Sequence, residues 1–357
     1  MKKWGCPVHR SEAVQALRGA SALAVVSAHC LDIPGASGSP LLDLAGAAGV
    51  SVFFLLSGYL WFVKAVGTSA ERLSIESALY GAVKKLRPII PLHAATLVAS
   101  LPFLLNSVGI AGAVYGICIA IENLLLLQSW IPVREVYFSC NAVSWYLSTY
   151  AFAVTVSPFL LRASRSLSAE GMRVRWAFAG IALCILVEVL LALAAPPDLA
   201  HWIVYIFPPV RLLDVFVGMM CGAIFVGALQ EKHVPGASIM VVGGGVLMAV
   251  FIGLGAFLEE VPAWLYSAAW IVPASLLVVP MFSFGKVATV LSPLVLVGDI
   301  SLQLFLVHQL VFRYLSHVPV LGGSPIPLFF VSLAVSLAVA LLLRHFAMHY
   351  SLGRRDE

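Results

Sequence analysis

Eleven runs of mostly apolar residues, each 18 to 23 residues long, fill most of this 357-residue chain. An α-helix rises 1.5 Å per residue, so about 20 apolar residues cross the hydrocarbon core of a bilayer. The runs fall near residues 14–31, 44–63, 88–106, 112–130, 143–161, 176–195, 209–229, 236–257, 263–284, 290–312 and 325–343. Little is left to make a wet surface. Charged residues are 11% of the chain and hydrophobic residues 61%, against roughly 25% charged in an ordinary soluble domain. A soluble enzyme, a disordered chain and a secreted disulfide scaffold are all excluded. The expected fold is all-α, a polytopic bundle of transmembrane helices.

The placement of the basic residues predicts how many runs cross. Cytoplasmic segments collect Lys and Arg. The N-terminus carries Lys2, Lys3 and Arg10, the stretch after the second run carries Lys64, Arg72, Lys84, Lys85 and Arg87, and a further cluster holds Arg162, Arg165, Arg173 and Arg175. If 112–130 spans, the 162–175 cluster is forced outside. That run also carries Glu122, Asn123 and Gln128. If instead it lies in the interface or re-enters, 17 of the 21 basic residues fall inside and Arg134 alone outside. Arg18, Arg211 and Arg313 lie in or beside spans. The reading is therefore about ten spans, with both termini cytoplasmic. Residues 1–357 form one membrane domain without internal repeats, and no cleaved signal peptide is expected.

The six cysteines are scattered, with no CxxC pair, which gives no metal site and no disulfide framework. Ionisable residues within spans are costly, so each is a functional candidate. Arg18 and His29 are eleven positions apart, close to three turns, so they share a helix face roughly 16 Å apart along the axis. A snorkelling Arg and a packed His would explain them equally well. Ser57 and Gly58 in GVSVFFLLSGYLW are small enough for close helix contact. Arg87 in KKLRPIIP could bind a phosphate or simply anchor the inner face. Trp145 and Tyr146 could form an aromatic belt. Arg211 and Asp214, three apart, could pair on one helix face. Ser301 and His308, seven apart, share another face.

In chain order these segments resemble the integral-membrane acyltransferase-3 family, over nearly the whole length. The family's basic residue, ten-residue gap and His are matched by Arg18 and His29. Its FF-x-x-SG-[FY] segment is matched by Phe53, Phe54, Ser57, Gly58 and Tyr59, and its R-x-x-x-P element by Arg87 and Pro91. Trp145, Leu147 and Pro158 match a W-[SYF]-L segment ending in Pro. Arg211, Asp214, Gly218 and Gly222 match an R-x-x-[ED]-[FY]-like segment leading into G-x-x-x-G. Ser301, Phe305, Leu306 and His308 match the last segment. Gln15 stands where many members have Asp, and Tyr150 where many have Glu. Some members add a C-terminal hydrolase-like domain, which is not expected here.

The resemblance implies an O-acyltransferase of a bacterial cytoplasmic (inner) membrane. It would move an acyl group, acetyl by expectation, from acyl-CoA to a hydroxyl of a glycan or glycolipid, with no permanently bound cofactor, no metal and no nucleic-acid partner. His29 would be the general base and Arg18 would hold the donor or balance charge. Arg87 would bind CoA phosphates. Ser57, Trp145, Arg211, Asp214, Ser301 and His308 would line the substrate path. The alternative from another class is a multispan transporter or flippase. A further one is a haem protein ligated by His29 and His308. The acceptor and the oligomeric state stay open.

Overall fold

The computed structural model describes residues 11–29, 39–66, 74–109, 111–167, 173–229, 234, 236–284, 286–322 and 324–353. Lys2, Lys3, Arg10, Arg72, Lys232, Arg354 and Arg355, which carry part of the charge argument, lie outside the described residues, as do Cys6 and Cys30. Among the described residues there is no strand. The chain folds into an all-α bundle: α1 (Glu12–Ala28), α2 (Pro40–Ala65), α3 (Ile75–Leu86), α4 (Ile90–Val108), α5 (Ala113–Leu124), α6 (Trp145–Leu167), α7 (Arg173–Ala194), α8 (Pro208–Leu229), α9 (Ala237–Leu254), α10 (Ala268–Val278), α11 (Ser292–Asp299), α12 (Ser301–Leu315) and α13 (Pro325–Gly353).

Seven helical segments are long and apolar enough to cross a membrane, or up to eight if a bent pair is one span. α1 has 17 residues, and α6 carries Ser, Thr and Arg along its length, so neither is among the seven. Each still occupies one of the apolar runs read from the sequence. α2, α8 and the segment containing α10 form the centre, with 67% of each span buried, whereas α9 is 11% buried. Leu183, Leu190, Ile239, Val242 and Phe330 are exposed on the periphery. A bilayer suits these exposed side chains, because its hydrocarbon core is as apolar as they are.

Glycines set the closest helix contacts. A Cβ on Gly58 of α2 would strike the carbonyl of Val215 on α8, and one on Gly218 of α8 would strike the carbonyl of Leu55 on α2. The S-G and G-x-x-x-G motifs are thus two sides of one backbone-to-backbone seam. The same device joins α1 to α11: a Cβ on Gly19 would strike the Leu294 carbonyl, and one on Gly298 the Gln15 carbonyl.

Two elements differ from straight spans. The run 290–312 is not one helix. It breaks between α11 and α12 with a bend of 73°, at Ile300 with φ −106° and ψ 9°. Gly298 is pressed on α1 just before the break, and Arg344 Nη1 approaches Asp299 Oδ2 at 3.4 Å. The break lets Ser301 start a new helix facing Arg18.

The run 112–130 forms only the 12-residue α5, about 18 Å long, and then folds back. Its polar residues explain the turn. Asn123 Nδ2 donates to Ser139 Oγ at 2.7 Å, Gln128 Nε2 donates to Ser144 Oγ at 3.1 Å, and His93 Nε2 meets the Asn123 carbonyl at 2.9 Å. Two residues in the fold-back take the left-handed region, Leu126 (φ 58°) and Cys140 (φ 54°), strain that the packing must hold. Ser148 donates to the Leu126 carbonyl at 2.6 Å, and Arg313 Nη1 to the Cys140 carbonyl at 2.8 Å.

Candidate active site

Two cavities meet in the middle of the bundle. The first, about 250 Å³, is lined by Arg18, Ser57, Trp61, Lys64, Tyr146, Tyr150 and Ser301 among others. The second, about 620 Å³, is lined by His29, Asp43, Arg134, Trp145, His201, Tyr205, Tyr266, Gln309 and Arg313 among others. Phe305 lines both. Asp43 and Lys64 sit in the first and last turns of α2, 21 residues and so roughly 30 Å apart along its axis. The two cavities therefore lie toward opposite ends of α2 and share Phe305 in their linings.

α1 connects them. Arg18 lies in its middle, and its Nη2 donates to Ser301 Oγ at 3.0 Å. Within the first cavity, Tyr146 and Tyr150 stack with centroids 6.1 Å apart. Lys64, not a carboxylate, is the other charged side chain lining this cavity. Among the described lining residues there are two cations and no carboxylate, so the cavity carries positive charge. Lys85 Nζ lies 5.0 Å over the Trp61 ring and 3.4 Å from Ser157 Oγ.

His29 closes the other end of α1, as its C-cap residue. Its ring lies 5.1 Å from that of His308, tilted by 53°. His308 is 0% exposed, and its Nδ1 lies 3.0 Å from the Leu304 carbonyl. A carbonyl only accepts, so Nδ1 carries the hydrogen and the tautomer is fixed.

The second cavity is rich in aromatic faces. Trp145 and Tyr205 are 4.9 Å apart, His201 and Tyr205 5.2 Å, and His201 and Tyr266 5.0 Å. Tyr205 and His201 are delivered by Pro197–His201 and the π-helical turn Trp202–Ile206, a backbone form frequent at functional sites. Burial, and secondarily the charge of Arg134, pushes His201 down to about 4. The ring is neutral at pH 7.

The predicted residues divide as follows. His29 and Trp145 line the second cavity; Arg18, Ser57 and Ser301 line the first; His308 backs His29. The Ser57 hydroxyl also donates to the Phe53 carbonyl at 2.8 Å, within its own helix. Arg87 is exposed at the end of α3 and is not among the residues that line the first cavity, where Lys64 supplies the cation. Arg211 and Asp214 form an ion pair at 2.9 Å with both side chains 0% exposed. They line neither cavity, and instead support its wall. Asp43, His201, Tyr205, Tyr266 and Gln309 carry no sequence signal, because only the tertiary fold brings them to His29. Lys64 and Tyr150 were visible as a basic residue and as a substitution, but not as neighbours of Arg18.

A family profile described as an acyltransferase domain matches residues 11–345 of the chain. Among curated proteins, the chain is 29% identical over 337 residues to acyltransferase MdmB of Streptomyces mycarofaciens, covering 86% of this chain and 80% of that protein. No solved structure matches.

Proposed function

This chain belongs to the acyltransferase-3 family of integral membrane acyltransferases, and on that premise we propose that it carries an acyl group from a CoA thioester in the Arg18 cavity to a hydroxyl in the His29 cavity. The observation that carries the reading is the shared wall: among the described residues Phe305 alone lines both cavities, with Arg18 and Ser301 lining one and His29 the other.

The donor chemistry fits the first side. A cavity of about 250 Å³ is small beside the roughly 300–1,000 Å³ of typical ligand pockets. It would take the thioester arm, leaving the nucleotide outside on Lys84, Lys85 and the exposed Arg87. On this reading the Arg18 end is cytoplasmic, which agrees with where acyl-CoA resides and with the bias of the basic segments. Arg18 would face the polar part of the arm, held in its rotamer by Ser301.

The acceptor chemistry fits the second side. Aromatic faces with Asp43, Gln309 and neutral His201 suit a sugar or polyol. The acceptor oxygen attacks the thioester carbonyl carbon, and the C–S bond breaks. The hydroxyl proton passes to His29, the imidazole that lines the cavity, and then to the departing thiolate. His308 is buried behind it and orients the ring. The acyl group is taken to be acetyl and the membrane the bacterial cytoplasmic one. The acceptor is a glycan, glycolipid or other hydroxyl compound such as an antibiotic. A transporter reading has no observation here to favour it.

The test is incubation of membranes containing the protein with labelled acetyl-CoA. Label on a glycan or lipid, with one CoA released per label, supports the proposal. Solute movement without CoA release would overturn it in favour of the transporter.

A further inference from the structure

α12 begins after the 73° break, so its rotation is not inherited from α11 and is set by what touches it. Its first residue is tied by the bond from Arg18 to Ser301. Further along, the fold-back that follows α5 reaches it three times. Asn141 Nδ2 donates to the Leu306 carbonyl at 2.8 Å. The Val143 N–H donates to Gln309 Oε1 at 3.3 Å. Arg313 Nη1 donates to the Cys140 carbonyl at 2.8 Å, on the residue that takes the left-handed region. Positions 306, 309 and 313 are spaced by three and four, so the contacts run along one face of α12.

The first two contacts bracket the side chains of the site. Leu306 follows Phe305, whose ring lines both cavities. Gln309 follows His308, whose ring lies against that of His29. Asn141 and Leu306 are each 1% exposed. A carbonyl has two lone pairs, so that of Leu306 can serve its own helix and Asn141 together. Asn141 Oδ1 has no hydrogen-bond partner among the described residues, so the bond to Leu306 is what orients the amide. Asn141 is also shorter than Gln309 or Arg313 and has less freedom to follow a moving partner.

We propose that Asn141 is a positioning residue: its amide sets the rotation of α12 about its own axis, and so keeps Phe305 in the wall that the cavities share and His308 against His29. The consequence for catalysis rests on the proposed acyl transfer; the placement of α12 does not. Without this donor, α12 turns away from the fold-back, Phe305 leaves the shared wall and His308 loses its cover.

The test uses the full-length protein in lipid nanodiscs. Diethyl pyrocarbonate modifies accessible imidazoles, and mass spectrometry reads each histidine peptide separately. His308 is 0% exposed and should resist modification in the wild type. N141A should raise its modification roughly fivefold or more, as should N141L, which keeps the volume and drops the donor where N141A fails to insert. G58A, destabilised at the α2–α8 seam, should leave His308 at the wild-type level, which separates a local shift from general loosening. Acyl transfer by N141L should fall about tenfold or more, with CoA released in excess of acceptor labelled. His308 as protected in N141L as in the wild type would overturn the proposal. So would equal exposure of His308 in G58A. The histidine readout needs neither donor nor acceptor, so a wild-type protein that transfers no acyl group would sink the reaction and leave this test standing.

Discussion

The imidazoles of His29 and His308 lie 5.1 Å apart, although one closes α1 and the other sits in the middle of α12. Their contact brings together two motifs from opposite ends of the sequence. His29 lines the cavity; His308 is buried and held by the Leu304 carbonyl. His29→Ala should lower acyl transfer by about 10²–10⁴-fold, the usual contribution of a general base. His308→Ala should lower it less, by loosening His29. Rates of CoA release from correctly inserted variants check both.

Arg18 and Ser301 make the matching contact in the other cavity. The bond from Nη2 to Oγ is 3.0 Å, and a hydrogen bond to a charged group contributes about 1.5–3 kcal/mol. Ser301→Ala should therefore weaken transfer by roughly 10- to 100-fold. Arg18→Gln should do greater harm and raise the acyl-CoA concentration needed for half-maximal rate. A saturation curve in acyl-CoA separates the two effects.

Phe305 is the side chain the two cavities share. Phe305→Ala should join them and admit water to the thioester. The expected outcome is CoA release without acceptor, with transfer to acceptor reduced. A ratio of CoA released to acceptor labelled that stays at one would contradict this role.

Gly58 and Gly218 hold α2 and α8 in backbone contact. Either Gly→Ala change puts a methyl into the facing carbonyl, an overpacking that costs about 1–3 kcal/mol or more. Thermal midpoints in detergent should fall for both. Gly243→Ala, where an added Cβ meets nothing within 4 Å, serves as the control and should leave the midpoint unchanged.

His201 makes stability depend on pH. Its folded value is pushed down to about 4 from an ordinary 6.5, so the unfolded chain binds a proton first as pH falls. Stability from this group is fully present above about pH 6.5 and is lost progressively toward pH 4, about 3 kcal/mol in all. The thermal midpoint should drop across that window, and His201→Gln should flatten the drop. A midpoint equally steep in the variant would refute the assignment.

The sequence by itself determined the class of molecule. A chain with 61% hydrophobic and 11% charged residues, arranged in runs of span length, has only the helical bundle open to it in lipid, since unsatisfied backbone cannot face hydrocarbon. Motif order pointed to the family, and the Arg18–His29 spacing put the two residues on one face. The same polar residues that spoke against 112–130 as a span, Asn123 and Gln128, are those that anchor its fold-back. Only the tertiary structure decided what meets what. The 73° break in 290–312 leaves no trace in hydropathy, because it depends on Gly298 pressing against another helix. Arg211 and Asp214 pair as their spacing allowed but are buried and line neither cavity, because charge spacing along a helix does not say which way the face turns. Asp43, His201, Tyr205 and Tyr266 meet at His29 from distant turns of the chain. Convergence of that kind is a property of packing between helices, and periodicity along one helix carries no information about it.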